Sequence, residues 1–366
     1  MITNSQVIQG RLSAVRQKLP EWNVDGLFIG SPANRRWLSG FTGSSGYLIV
    51  TADRALFGTD FRYWGRAAKE APDFELVKME GGIKERMAKF LNESAVSTLG
   101  VEGQMTLAEL AMLESLEGFS IEFEPILEPI EPLRYAKSAD EIKAIRAAAA
   151  LTDQAMSAVN EIVRPGMSEK QVAWELEKIM REAGADSMAF PVIVASGPNG
   201  AFAHHSSGDR QLKADDPIII DMGASLNGYQ SDLTRTFYLG NEPDEKFWEI
   251  YNIVHEAQKA ALNAIKARQS GKAIDQVARD YIKQAGYEKA FGHGLGHGVG
   301  LDIHEGPRLS QTAADDPPLP AGAVVTVEPG IYLEGWGGVR IEDLIMVTDS
   351  GVQLLSRCSK NPIIPT

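Results

Sequence analysis

The sequence has very little cysteine, no excess of basic residues and no long apolar run. Its 366 residues include one cysteine, Cys358, which excludes an intramolecular disulfide framework and a cysteine-rich metal site. The formal net charge of −13 at pH 7 argues against a broad basic face that binds nucleic acid. The apolar stretches are too short to span a membrane, and the polar start lacks the apolar core of a signal peptide. We therefore expect a cytoplasmic protein that binds neither nucleic acid nor membrane.

The composition that is present suits a globular chain of two domains, with 44% apolar and 23% charged residues. Helical spacing and strand-like runs alternate in the first third, with helices predicted at 5–19, 82–92 and 107–116, a buried strand at 26–30, and short strands with turns over 34–60. The stretch EPILEPIEPLRYAKS (124–138) holds three prolines and is typical of a linker. We predict an α/β domain over 1–132 and a second domain over 133–366.

The second domain is predicted to begin with a helix and then to repeat itself. Ser138 and Glu141 form a capping-box pattern in front of an Ala-rich helix, 139–163. Each half then has a second helix, 168–185 or 273–287, and a strand hairpin, 217–238 or 323–347. Both second helices share a Gln-Val near the start and an Ala-Gly at the end. The repeated order of elements indicates a pseudo-two-fold domain with a site between its halves.

Two acidic residues of the first hairpin are predicted to lie on one face. Asn227-Gly228 is typical of a type I′ turn, which places Asp221 opposite Thr234. Since side chains alternate with period two, Asp221 and Asp232 become diagonal neighbours. Two such carboxylates repel each other in an apolar setting unless a cation or proton lies between them. The alternative interpretation is a pair of surface acids close to a turn.

The second hairpin contributes Glu328, at the end of an apolar strand, and Glu342, inside VRIEDLIMV. The alternative interpretation of Glu342 is a salt bridge to Arg340, because residues two apart in a strand share a face, and such a pair is compatible with metal binding. The other acids of this hairpin, Glu334 and Asp343, are expected to be solvated.

Three of the six histidines lie in FGHGLGHGVGLDIHEGPR (291–308), namely His293, His297 and His304. Their glycines fail the dinucleotide-binding spacing, so a dehydrogenase is the weakest alternative. A lone histidine is usually structural, but three among glycines favour chemistry, and we expect one metal ligand and two substrate-facing groups. A further pair, His204-His205, follows a glycine-bearing loop.

Four carboxylates and one imidazole, His297, make an oxygen-rich ligand set that suits two divalent cations such as Mn, Co, Fe or Zn. Paired cations about 3.5–4 Å apart can hold a water and convert it to hydroxide at neutral pH. The sequence therefore predicts a hydrolase.

Four segments between 196 and 345 together resemble the metallopeptidases of family M24: DMGASLNGYQSDLTRTF, GHGLGHGVGLDIHEGPR, TVEPGIY and GGVRIED. The match is to the Xaa-Pro branch, which contains prolidase and aminopeptidase P, and SGFTGSSG (39–46) and TDFRYW (59–64) are similar to its creatinase-like N-terminal domain. The resemblance implies an α+β architecture, in which this domain precedes a catalytic domain with the pita-bread fold.

The resemblance also implies a role for each matching residue. The five metal ligands correspond to Asp221, Asp232, His297, Glu328 and Glu342, with Asp232 and Glu342 bridging the metals. Glu328 also corresponds to the carboxylate that carries the proton. His304 corresponds to the histidine beside the scissile carbonyl, and His204 to one that lines the pocket. The implied substrate-binding residues are His293, Arg340 and Arg308, of which Arg308 receives the C-terminal carboxylate of a dipeptide.

The implied function is hydrolysis of the bond between an N-terminal residue and proline by a dinuclear centre, with Mn first and Co or Zn as alternatives. Small peptides with proline second are the expected substrates, dipeptides before the longer peptides of an aminopeptidase P. Relatives of this kind often form homodimers or larger homo-oligomers. A fold-retaining binding module without turnover is the non-enzymatic alternative, and the intact set of costly buried acids argues against it.

Overall fold

The computed structural model describes residues 5–118, 120–313 and 316–365. The chain divides into two compact units whose boundary lies between Arg134 and Tyr135, two residues beyond the predicted one. Across these described ranges, no helix is both long enough and apolar enough to cross a membrane.

The first unit is built on a six-stranded sheet with the order β4-β3-β2-β1-β5-β6. Its strands are β1 (Gly26–Ile29), β2 (Tyr47–Thr51), β3 (Ala55–Thr59), β4 (Glu75–Lys78), β5 (Thr98–Glu102) and β6 (Glu122–Ile126). Its helices are α1 (Ser5–Lys18), α2 (Pro32–Ser39), α3 (Trp64–Glu70), α4 (Ile83–Ser94) and α5 (Leu107–Glu114). Every residue of β1 is buried, as its apolar run predicts for a central strand.

Two predictions for this unit were wrong in part. The stretch 124–138 is not wholly a linker, because β6 pairs in parallel with β5 and aligns Pro125 with Val101. This strand lies at the edge of the sheet, where a proline without an N–H is tolerated. The first residues of 34–60 are helical rather than extended, since Pro32 begins α2 and its fixed φ suits a first turn.

The second unit begins with α6 (Ala139–Ser157) and α7 (Val159–Ile162), so the predicted helix is nearly continuous. Its capping box is confirmed: the Ser138 N–H donates to Glu141 Oε2 at 3.0 Å and the Glu141 N–H donates to Ser138 Oγ at 3.4 Å. The first half continues with α8 (Glu169–Glu182), β7 (Ser187–Met188), β8 (Ile193–Ser196), β9 (Pro217–Met222), β10 (Ala224–Leu226), β11 (Tyr229–Gln230) and β12 (Leu233–Leu239).

The second half contains α9 (Glu245–Ala264), α10 (Gly271–Gln284), β13 (Gly296–Gly298), β14 (Glu305–Leu309), β15 (Val324–Val327), β16 (Gly330–Leu333), β17 (Gly337–Arg340) and β18 (Asp343–Val347), followed by β19 (Val352–Leu354) and β20 (Ile363–Ile364). One sheet has the order β20-β12-β9-β8 and another the order β14-β13-β15-β18-β19. Each half encloses a buried apolar cluster of its own.

The two second helices, α8 and α10, show which part of the sequence repeat is structural. Serines cap both N-termini, and alignment of these serines superposes the Ala-Gly pairs, whose glycines have φ of 109° and 90°. The shared Gln-Val pairs fall out of register in this alignment. The buried stripes decide the register, because Val172 then corresponds to Ile274 in position and burial.

The first hairpin has the predicted register, with Asp221 opposite Thr234. Asn227 and Gly228 have φ of 50° and 73°, as a type I′ turn requires. In the second hairpin, Val327 pairs with Asp343 and Gly330 pairs with Arg340. The common register places Glu328 opposite Glu342, so each hairpin presents a pair of acids.

Candidate metal centre and substrate cavity

The two pairs of acids converge because β12 joins the hairpins. The Glu342 N–H donates to the Thr234 carbonyl at 3.1 Å, which seats the end of one hairpin on the strand of the other. Asp221, Asp232 and Glu342 each place an oxygen within 4.8 Å of the others. All of them line a cavity of about 570 Å³ together with Glu328 and His297.

His297 adds to this group of acids a ring nitrogen that can bind a metal. Its Nδ1 donates to the Gly298 carbonyl at 3.0 Å, which leaves Nε2 unprotonated with its lone pair available. Burial, with His304 as a lesser cause, lowers the pKa of His297 to about 4, so the ring is neutral at pH 7. Nε2 lies 3.6 Å from Asp232 Oδ2 and 3.5 Å from Glu328 Oε1, and these contacts are therefore not ion pairs. Lone pairs facing one another across such a gap suit a cation between them.

Burial and mutual repulsion disfavour the ionised form of several of these acids. Burial raises the pKa of Glu328 to about 8, and it raises the pKa of Asp232 and Glu342 well above their usual range, with neighbouring carboxylates adding to the effect. The buried Oδ1 of Asp221 has no hydrogen-bond partner among the described residues. An orphaned oxygen, three carboxyls that resist ionisation and a neutral imidazole form a donor set that fits divalent cations.

Surrounding side chains orient these donors. Thr234 Oγ1 donates to Glu342 Oε2 at 2.7 Å and accepts from Arg340 Nε at 3.1 Å. The alternative role for Glu342, a salt bridge to Arg340, is not adopted. The Arg340 guanidinium pairs instead with Asp221 Oδ2 at 2.7 Å and lies across the cavity wall. Thr234 was not predicted as a site residue, although its register opposite Asp221 follows from the turn.

Asp343 corrects a second expectation, since it is buried rather than solvated. It pairs with Arg235 Nη2 at 2.9 Å and with Lys360 Nζ at 2.6 Å. Strand β18 is covered on both faces, so the residue next to a cavity acid also faces protein and requires a counter-charge. Glu334 is exposed as expected.

His293 lines the cavity, but hydrogen bonds engage both of its ring nitrogens. Nδ1 lies 2.7 Å from the Gly294 carbonyl and must donate to it, and Nε2 lies 2.8 Å from Tyr332 Oη. Burial lowers the pKa of His293 to about 4, so Nε2 accepts from the tyrosine. The same Oη accepts from Arg340 Nη1 at 3.0 Å. Tyr332 was missed, although strand alternation from Glu328 places it on the same face.

His304 and His204 also line the cavity. The His304 ring lies 4.4 Å from the His297 ring, centroid to centroid, and meets it edge to face. Burial, followed by the nearby His204, lowers the pKa of His304, which favours a neutral ring with one N–H to donate. The cavity lining also includes the apolar residues Phe190, Pro191, Val192 and Ile193.

Arg308 is the predicted site residue that the structure does not bring to the cavity. It is absent from the described residues that line it. Its guanidinium forms a bidentate pair with Asp316, at 3.0 Å from Nε and 2.6 Å from Nη2, and its side chain is half exposed. Asp316 therefore holds the Nε and Nη2 side of the guanidinium at a place outside the cavity lining.

Comparison with known proteins agrees with the two-unit architecture. The family model described as "Metallopeptidase family M24" matches residues 143–349, and the model described as "Creatinase/Prolidase N-terminal domain" matches residues 11–136. The Xaa-Pro dipeptidase of Pyrococcus furiosus is 38% identical over 96% of this chain and 98% of its own length.

Solved structures of similar proteins agree with this match. The Xaa-Pro dipeptidase from Bacillus anthracis has a TM-score of 0.94 and 39% identity, over 97% of this chain and 99% of that one. The X-Pro aminopeptidase from Thermotoga maritima has a TM-score of 0.86 and 36% identity, over 96% of this chain and 100% of that one. These likenesses extend over both units.

Proposed function

Since this chain belongs to metallopeptidase family M24, we propose that it is an Xaa-Pro peptidase that hydrolyses the bond between an N-terminal residue and a following proline, above all in dipeptides. The single observation that carries the proposal is the convergence of four acids and a neutral imidazole in one cavity. The similarity to named Xaa-Pro dipeptidases over nearly the whole chain supports the choice of substrate.

We propose that Asp221, Asp232, His297, Glu328 and Glu342 hold two divalent cations, with Mn²⁺ as the native metal and Co²⁺ or Zn²⁺ as alternatives. When bound, such cations supply Lewis acidity and a nucleophile that is active at neutral pH. Arg340 orients Asp221 through the hydrogen bond from its guanidinium. Thr234 orients Glu342 through the hydrogen bond from its hydroxyl.

The residues around the cations perform the proton transfers. Glu328 accepts the proton of the attacking water and returns it to the departing proline nitrogen, which has no N–H of its own in the substrate. Burial raises the pKa of its carboxyl to about 8, so this environment favours the protonated form. His304 donates its N–H to the oxyanion, a contact worth about 2.7–4 kcal/mol per donor in related chemistry.

The test of this mechanism is the variant Glu328→Gln. It should lower the turnover of Ala-Pro by about 10²–10⁴-fold, because an amide cannot carry the proton. The matched control is Glu334→Gln, an exposed glutamate of the same segment that should retain wild-type turnover. Near-normal activity in Glu328→Gln, measured with Mn²⁺ added, would refute the assignment.

Substrate length is tested with Arg308→Ala on Ala-Pro and Ala-Pro-Ala. If Arg308 binds the carboxylate of a dipeptide, the variant should raise KM for Ala-Pro far more than for the tripeptide. Arg268→Ala removes an arginine of an exposed ion pair and serves as the control. Equal losses on both substrates would exclude Arg308 as the group that reads length and would favour an aminopeptidase P.

The aminopeptidase from Thermotoga maritima makes activity on longer peptides the second candidate. The family resemblance also leads us to propose a cytoplasmic protein that forms a homodimer or larger homo-oligomer, which light scattering tests. Metal binding without turnover of any Xaa-Pro peptide would instead identify a binding module.

A further inference from the structure

One wall of the cavity is a loop that is held by hydrogen bonds to a single buried carboxylate. Residues 203–207 line the cavity and include the adjacent histidines His204 and His205. They follow β8 and a 3-10 turn, Gly197–Ala201. The carboxylate belongs to Glu169, the first residue of α8, whose side chain is fully buried and does not line the cavity.

Each oxygen of Glu169 holds a different part of this loop. Oε1 accepts from the Ser196 N–H at 2.9 Å, from Ser196 Oγ at 2.8 Å and from Asn199 Nδ2 at 2.9 Å. Oε2 accepts from His205 Nε2 at 2.8 Å and from the Gly208 N–H at 3.0 Å. Five donors therefore converge on one carboxylate, and they come from both ends of the segment 196–208.

These bonds keep the Glu169 carboxylate ionised inside the protein. Burial by itself would raise its pKa, but the hydrogen bonds from His205, Ser196, Asn199 and Gly208 outweigh burial and lower it. An ionised acceptor makes each bond charge-assisted, which is stronger than a neutral bond.

The other side of the loop is fixed by close backbone contact. A β-carbon at Gly200 would lie 2.9 Å from the Gly338 nitrogen, and one at Gly337 would lie 2.8 Å from the Gly197 carbonyl oxygen. Arg340 Nη1 also donates to the Ala203 carbonyl at 3.3 Å. The segment is thus held between β17 on one side and Glu169 on the other.

We propose that Glu169 is a positioning residue for the proposed peptidase reaction, which this inference takes as its basis: its carboxylate fixes the wall 196–208 and thereby sets the position of His204 and His205 in the cavity. The other histidine-bearing wall has a separate anchor. Asp275 pairs with Arg279 at 2.9 Å, and Arg279 Nη2 donates to the His293 carbonyl at 2.7 Å.

The variant Glu169→Gln keeps the size of the side chain and removes its charge. The amide NH₂ then replaces one of the two oxygens, and in either orientation it faces a backbone N–H, that of Ser196 or that of Gly208, which cannot become an acceptor. We expect kcat on Ala-Pro to fall by about 10–100-fold with little change in KM, because displacement by about 1 Å has such an effect. Mn²⁺ affinity should stay at the wild-type value, since no proposed ligand lies in the loop.

The matched control is Glu141→Gln, a buried capping glutamate of α6 that is outside the cavity lining. Amide hydrogen exchange followed by mass spectrometry gives a readout that is independent of activity. In Glu169→Gln, amide exchange should accelerate in segment 196–208. In Glu141→Gln, exchange in this segment should equal that of the wild type. Exchange in segment 291–295 should stay unchanged in both variants.

Double variants separate positioning from a general loss of stability. On a His204→Ala background, Glu169→Gln should cost much less in kcat than it costs alone, whereas on a His293→Ala background it should cost the full factor. Should Glu169→Gln fail to fold, Asn199→Ala removes one donor from outside the cavity. It should lower kcat by a smaller factor without loss of metal affinity.

A wild-type protein that binds Mn²⁺ and hydrolyses no Xaa-Pro peptide would overturn the proposed function. If the wild type is active, three results would each overturn the inference. Glu169→Gln could have the same kcat as Glu141→Gln, or amide exchange in 196–208 could stay unchanged in Glu169→Gln. The loss of kcat in the double variant with His204→Ala could also equal the product of the two single losses.

Discussion

Thr234 offers a test of the candidate metal centre that leaves every proposed ligand in place. It is fully buried on β12, and its hydroxyl donates to Glu342 Oε2 at 2.7 Å and accepts from Arg340 Nε at 3.1 Å. Thr234→Val is nearly isosteric and removes both bonds. Loss of such an orienting partner typically weakens metal binding by about 10–100-fold. The freed polar atoms should also cost about 1–3 kcal/mol of stability.

Thr236 provides the matched control on the same face of the same strand. It is equally buried, and its hydroxyl donates to the Arg340 carbonyl at 2.8 Å and accepts from the Arg340 N–H at 2.9 Å. Thr236→Val therefore loses two hydrogen bonds without touching a proposed ligand. Both variants should unfold at similar urea concentrations, and only Thr234→Val should show weaker Mn²⁺ binding by titration calorimetry. Wild-type affinity in Thr234→Val, or equal losses in the two variants, would refute the proposed role of Glu342.

Two further predictions concern buried charge. Folding raises the pKa of Glu328 from 4.5 to about 8, so the contribution of this carboxyl to stability is present below pH 4.5 and is lost as the pH rises to about 8. Thermal unfolding in the presence of chelator should show this decline in stability. Saturating Mn²⁺ should remove the decline if Glu328 is a ligand. Asp343→Asn should lower the free energy of unfolding by about 3–5 kcal/mol, because it leaves the buried Arg235 without its counter-charge; urea unfolding measures the loss, and a wild-type midpoint would contradict it.

Predictions from the sequence were most accurate where the governing interactions are local. The turn residues Asn227-Gly228 and the period of two fix the register that places Asp221 opposite Thr234. The capping box of α6 follows from four neighbouring residues. The acids were recognisable because each interrupts an apolar or glycine-rich stretch.

Predictions were least accurate where the partner of a residue lies far away in the chain. Arg340 and Glu342 are close in sequence and suggested a salt bridge, yet Arg340 pairs with Asp221. Asp343 was expected in solvent, but the packing of β18 buries it beside Arg235. The three prolines of 124–138 suggested a linker, and pairing at the edge of a sheet accommodates one of them within β6.

The sequence alone determined which chemical groups are available, how each strand alternates and where each hairpin turns, since these properties depend on residue type and on neighbours in the chain. Only the tertiary structure decided which groups share the cavity. It brings the two hairpins together at β12, and it gives both ring nitrogens of His293 a hydrogen-bond partner. It also pairs Arg308 with Asp316 and anchors the wall 196–208 to Glu169. Such contacts depend on how completed elements pack, and burial then sets both the partners and the pKa of each group.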